Sequence, residues 1–112
     1  MQPTRLDLSP YAGDGFAFSL TFTDKVTGDP WPVPGVWNAE VRALPDADVV
    51  LATFAIDTTN ADTGVVLLSL GGADTRALPP TAWWDVQQTA PGAEPRTWYR
   101  GQVKTTADVT RP

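Results

Sequence analysis

The densest group of chemistry-bearing side chains is Asp57, Asn60 and Asp62, set just before Gly64. Oxygen ligands this close together suit calcium. A calcium loop of the EF-hand kind also needs alternating ligands closed by a bidentate glutamate, and no glutamate follows here. The other reading is a polar hairpin loop whose Asp and Asn side chains bond the local backbone. That reading is adopted, and Asp46 and Asp48 are read in the same way. The serines are Ser9, Ser19 and Ser69, and none stands in a nucleophile elbow. Histidine and cysteine are absent. That removes the commonest general base, histidine-based triads, thiol nucleophiles, disulfides and the usual zinc ligands. Gly71-Gly72 follows an apolar run but lacks the further glycines and the lysine of a phosphate loop. The expectation is a non-enzyme with no metal and no cofactor.

Tryptophan is the unusual feature: Trp31, Trp37, Trp83, Trp84 and Trp98 make five in 112 residues. Trp37 and Trp84 are assigned to a core. Neighbouring residues of a strand face opposite ways, so an inward Trp84 turns Trp83 outward. By the same rule Trp98 opposes an inward Tyr99. Outward aromatics serve as anchors for a protein partner or as stacking platforms for sugars. The alternative is that they pack beneath proline-rich loops or on a neighbouring strand. Arg42, Arg96 and Arg100 are read either as interface residues or as a solvated strand face. The candidate partner-binding residues are Trp83, Trp98, Trp31 and Arg100.

The elements that would position these residues have a period of two. Phe16, Phe18, Leu20 and Phe22 alternate with small or polar residues, which places all four on one face of a strand. Trp37, Ala39, Val41 and Ala43 repeat the pattern against Asn38, Glu40 and Arg42. Val50, Ala52, Phe54 and Ile56 form a further inward set. Val66, Leu68 and Leu70 follow Thr63-Gly64. Trp84 and Val86 point inward with Asp85 outward, and Tyr99 and Val103 close the series. Arg5–Leu8 adds a short edge strand. Ala73–Leu78 is the one helical turn, capped by Asp74 and stopped by Pro79-Pro80. Turn signals separate the strands every 8–12 residues or so, the spacing of an antiparallel sandwich. The expectation is about seven strands in one domain spanning residues 1–112.

Net charge is −5, and the acid excess is nearly all aspartate, 11 Asp against 2 Glu. Aspartate favours turns over helices. An acidic chain lacks the basic footprint of a nucleic-acid or anionic-membrane binder. The N-terminus lacks a signal-peptide layout, and no apolar run approaches the ~20 residues of a membrane helix. Synthesis in the cytoplasm is expected. The termini, residues 1–10 and 105–112, are read as arms able to reach a neighbouring subunit.

The order of motifs resembles the small immunoglobulin-like β-sandwich domains of tailed-phage virions, with the N-terminal domain of phage baseplate upper proteins as the nearest type. It is carried by Gly13-Asp14-Gly15-Phe16, Val36–Arg42, Asp62–Leu70, Asp74–Leu78, Trp83-Trp84-Asp85-Val86, Arg100-Gly101-Gln102-Val103 and Asp108–Arg111. The resemblance implies an attachment domain of the virion that docks on other virion proteins in many copies. The role implied is a tail, baseplate or neck accessory, or alternatively a capsid decoration protein. A module contacting host glycans is the alternative from another class.

Overall fold

The computed structural model describes residues 3–107, with eight strands, one short α-helix and a 3-10 turn over Ala61–Thr63. The strands are β1 (Thr4–Arg5), β2 (Phe16–Thr21), β3 (Val36–Arg42), β4 (Ala52–Thr53), β5 (Ala55–Asp57), β6 (Val65–Leu70), β7 (Thr81–Thr89) and β8 (Arg96–Lys104). They form a five-stranded sheet in the order β1-β8-β7-β3-β4 and a three-stranded sheet in the order β2-β6-β5. The two sheets make the expected all-β sandwich. Leu20, Trp37, Ala39, Val41, Val66, Leu68, Leu70, Trp84, Val86 and Val103 are buried between them, as the alternation predicts.

The segment expected as one inward strand over Val50–Ile56 divides in two. Ala52 and Thr53 pair with Val41 and Glu40 in the larger sheet, whereas Ala55–Asp57 pair with β6 in the smaller one. Buried Phe54 sits at the crossing, and its N–H donates to the Ala39 carbonyl at 3.0 Å. The chain changes sheets here, which turns the expected seven strands into eight.

The helix, α1 (Gly72–Ala77), is capped at Gly71 and not by the Asp74 side chain. The polar anchor is Thr75 instead, which is fully buried. Its hydroxyl donates to the Asp14 carbonyl at 2.8 Å and accepts the Gly13 N–H at 3.1 Å. The approach is close: a Cβ on Gly72 would collide with the Gly13 carbonyl oxygen.

The N-terminal segment does not extend away from the domain. β1 runs parallel to β8, and the N–H groups of Leu6 and Leu8 donate to the carbonyls of Arg100 and Gln102, each at 2.9 Å. Ala12 bonds Thr106, and the Thr106 N–H bonds the Pro10 carbonyl. The arm reading is therefore corrected for residues 3–10 and 105–106, whose backbone groups pair within the domain. Residues 108–112 of the C-terminal arm, with Asp108–Arg111 of the motif series, lie outside the described residues.

Candidate interaction face

β3, β7 and β8 align their outward residues in rows. Arg42 stands opposite Trp83, and Trp83 opposite Gln102; Glu40 stands opposite Asp85, and Asp85 opposite Arg100; Asn38 stands opposite Gln87. Arg5 on β1 extends the middle row beside Arg100. Because each strand alternates, these residues emerge together on the outer face while Trp84, Val86 and Val41 fill the core beneath. All of the outward residues but Gln102 and Arg5 line an open depression of about 370 Å³. A neighbouring one of about 610 Å³ shares Asp85 and Arg100 and is bounded by Pro3, Pro95 and Arg96.

Trp83 is half-buried on this face, as predicted from its neighbour. The Arg5 and Arg100 guanidinium groups lie 5.6 Å and 6.0 Å from its ring centroid, within cation–π range. Arg5 is fixed in turn by Asp7 at 3.1 Å, and Asp7 accepts the Gln102 N–H at 2.9 Å. That backbone bond, with help from Arg5, lowers the Asp7 pKa. Arg42 reaches Glu40 at 3.0 Å and the Ala47 carbonyl at 2.6 Å, which ties the loop after β3 to the face.

Asp85 is the least compensated charge of the array. Its carboxylate receives no hydrogen bond from the described residues, and Glu40 stands directly across from it. Burial first, and then repulsion from Glu40, raise its pKa, against a partial offset from Arg100 and Arg42. Like charges placed directly opposite on a sheet are destabilising.

The four predicted partner residues do not form one patch. Trp83 and Arg100 share the face. Trp31 is half-exposed but lies beside Phe22 and Gly64 near the smaller sheet, and it does not line the depression. The outward placement of Trp98 is corrected. Val86 pairs with Tyr99 but Gln87 pairs with Thr97, so Trp98 is the extra residue of a β-bulge and strict alternation fails there. Trp98 packs on the core with its ring 4.9 Å from that of Phe22, and its Nε1–H donates to Gln88 Oε1 at 2.9 Å. Arg96 covers the ring at 3.8 Å. The alternation places Glu40 and Asp85 outward without marking them as a site; their cross-strand register is the signal that joins them.

The polar loop before Gly64 behaves as a hairpin loop. Asp57 accepts the Thr59 N–H at 2.8 Å, and the Thr63 hydroxyl donates to the Asn60 carbonyl at 2.9 Å. Among the described residues no group of three His, Cys, Asp or Glu side chains is placed to hold a metal. No helix is long and apolar enough to cross a membrane.

A family model described as an LtfC-like β-sandwich domain matches residues 2–106. No curated protein matches the chain. Among solved structures, a variant of the SrpA adhesin from Streptococcus sanguinis is similar, with a TM-score of 0.53 and 12% identity over 94% of this chain. A chain from the complex of ICOS with ICOS-L and an anti ICOS-L VNAR domain has a TM-score of 0.49 and 8% identity over 95% of this chain. This chain spans 58% of the matched adhesin chain and 56% of the other. At such identity the adhesin likeness shows a shared fold.

Proposed function

The chain belongs to the LtfC-like β-sandwich domain family, and from that premise we propose that it is a non-catalytic attachment protein of a bacteriophage virion, docking on other virion proteins through the outer face of its larger sheet. The observation that carries the docking face is the Glu40–Asp85 pair beside Trp83. Two carboxylates face one another across β3 and β7, one of them half-buried without a hydrogen bond, next to a tryptophan held between two arginines. The facing carboxylates cost folding stability and return nothing to the core, which supports a surface kept for a partner. Trp and Arg are also the residue types that dominate binding energy when an interface covers them. The virion assignment draws on the motif order given above, and the tail, baseplate or neck accessory is the favoured place. Immunogold labelling of purified particles tests it: label on the tail or neck is the expected result. Label confined to the capsid surface would move the protein to the decoration role, and particles free of it would remove the virion assignment.

A second reading, contact with host glycans, is favoured by one feature. Asn38, Gln87, Asp85 and Arg100 ring the depression beside Trp83 with hydrogen-bonding groups. Calorimetric titration with host polysaccharide would show saturable heat that Trp83→Ala removes; the protein-docking reading expects none.

A further inference from the structure

Four strands lie at sheet edges: β1 and β4 bound the larger sheet, β2 and β5 the smaller. β1 and β4 have two residues each, and β5 has three and ends on Asp57. β2 runs for six residues, Phe16–Thr21, with no charge, no proline and no bulge. Natural edges are ordinarily shortened, charged, bulged or covered, because their unpaired N–H and C=O groups template further pairing. β2 alone among the four has none of these devices.

The register shows which groups are open. The Phe22 N–H donates to the Gly64 carbonyl at 2.7 Å, and the same register sets Leu20, Phe18 and Phe16 opposite Val66, Leu68 and Leu70. An antiparallel ladder alternates bonded and non-bonded pairs, so the backbone groups of Ala17, Ser19 and Thr21 point away from β6. Among the described residues no other backbone bonds them. The inner side of the strand is also incomplete. Val66 and Leu68 are fully buried, while Phe16 and Phe18 on β2 are only half covered.

We infer that β2 is a pairing edge for a second copy of this chain, the two β2 strands running antiparallel across a twofold axis and joining two small sheets into one of six strands. A twofold contact brings the same patch against itself, so the patch must be self-complementary. β2 meets that condition: its open donors and acceptors face their counterparts, and the half-covered phenylalanines gain apolar neighbours. Charge selects the same place. The chain carries a net −5, and copies repel one another except where a surface is neutral. β2 is such a surface, with Ala17, Ser19 and Thr21 on its outer side. The pairing is independent of the Trp83 face, which lies on the opposite sheet, and it supplies a repeating unit to the multi-copy role.

Sedimentation velocity of the full chain over two decades of concentration tests the inference. The expected result is a reversible monomer–dimer equilibrium. Ser19→Pro removes one open N–H, and Ser19→Lys places a charge on the exposed outer side; each is expected to weaken the dimer about tenfold or more. Trp83→Ala is expected to leave it unchanged. Unaltered thermal melting of Ser19→Lys keeps the test clear of folding defects if the proline variant unfolds. Hydrogen exchange adds a site-specific readout: the amides of Ala17, Ser19 and Thr21 should become protected as concentration rises. A monomer at every concentration, or a dimer indifferent to Ser19→Lys and without that protection, would overturn the inference while leaving the docking proposal untouched.

Discussion

On the larger sheet the outward positions hold Arg42, Glu40, Asn38, Trp83, Asp85, Gln87 and Arg100. On the smaller sheet they hold Ala17, Ser19, Thr21, Val65, Leu67, Ser69, Ala55 and Asp57. Both faces arise from the same alternation over one shared core, yet one is densely charged and aromatic and the other aliphatic and hydroxylic with a single carboxylate, Asp57. The core needs only the inward residues, so it does not dictate this difference. The larger face concentrates charge that opposes stability: carboxylates facing one another, one of them half-buried. The smaller face carries no such cost. What folds the domain and what the proposed docking uses are thus separable along each strand, residue by residue.

Substitutions on the two faces should therefore behave differently. The largest effect is expected from Gly101→Ala. Gly101 is buried under the N-terminal segment, and a Cβ there would collide with the Leu6 carbonyl oxygen. Thermal unfolding should show a loss of about 2 kcal/mol, with β1 released and Arg5 withdrawn from Trp83. Trp83→Ala comes next. It loses half-buried ring area and contact with two guanidinium groups, for about 1–2 kcal/mol by chemical denaturation.

Asp85→Asn should run the other way. The raised pKa means that the folded chain holds this proton more tightly than the unfolded chain does. Stability is then lost as pH rises from the ordinary value of 3.8 through the elevated one. Removing the charge should raise the melting temperature at neutral pH, by up to about 1 kcal/mol in stability because solvent screens the half-exposed group. The gain should vanish in acid, where Asp85 is protonated in both states. Asp7, Asp24 and Asp57 have lowered pKa values through bonds from Gln102, Thr27 and Thr59 respectively, and their contribution is present near neutrality and lost as pH falls. Leu67→Ser on the smaller face should be the least disruptive, within about 0.5 kcal/mol of the parent.

Alternation made most of the sandwich legible in the sequence. Phe18, Leu20, Val66, Leu68, Trp84 and Val86 point where a period of two places them. The failures occur where strand geometry is interrupted. Trp98 turns inward because a bulge adds one residue between the partners of Val86 and Gln87, and composition carries no marker for it. The Val50–Ile56 segment reads as one strand because inward and outward residues keep their order while the backbone changes sheets at Phe54. The edge strand expected at Arg5–Leu8 forms against β8, but its pairing within the domain, in place of reach to a neighbour, runs through backbone groups that side-chain patterns do not report. The Glu40–Asp85 pair needed the register of β3 against β7, a long-range fact invisible to local periodicity.

The central claim is the proposed docking on other virion proteins through the Trp83 face, distinct from the self-pairing inferred for β2. Particles assembled with Trp83→Ala or with Leu67→Ser, each compared with parent protein for copies retained after purification, test it most directly. The account predicts that Trp83→Ala is lost from particles while Leu67→Ser is retained at the parental level. Full retention of Trp83→Ala, with its fold intact by circular dichroism, would contradict it.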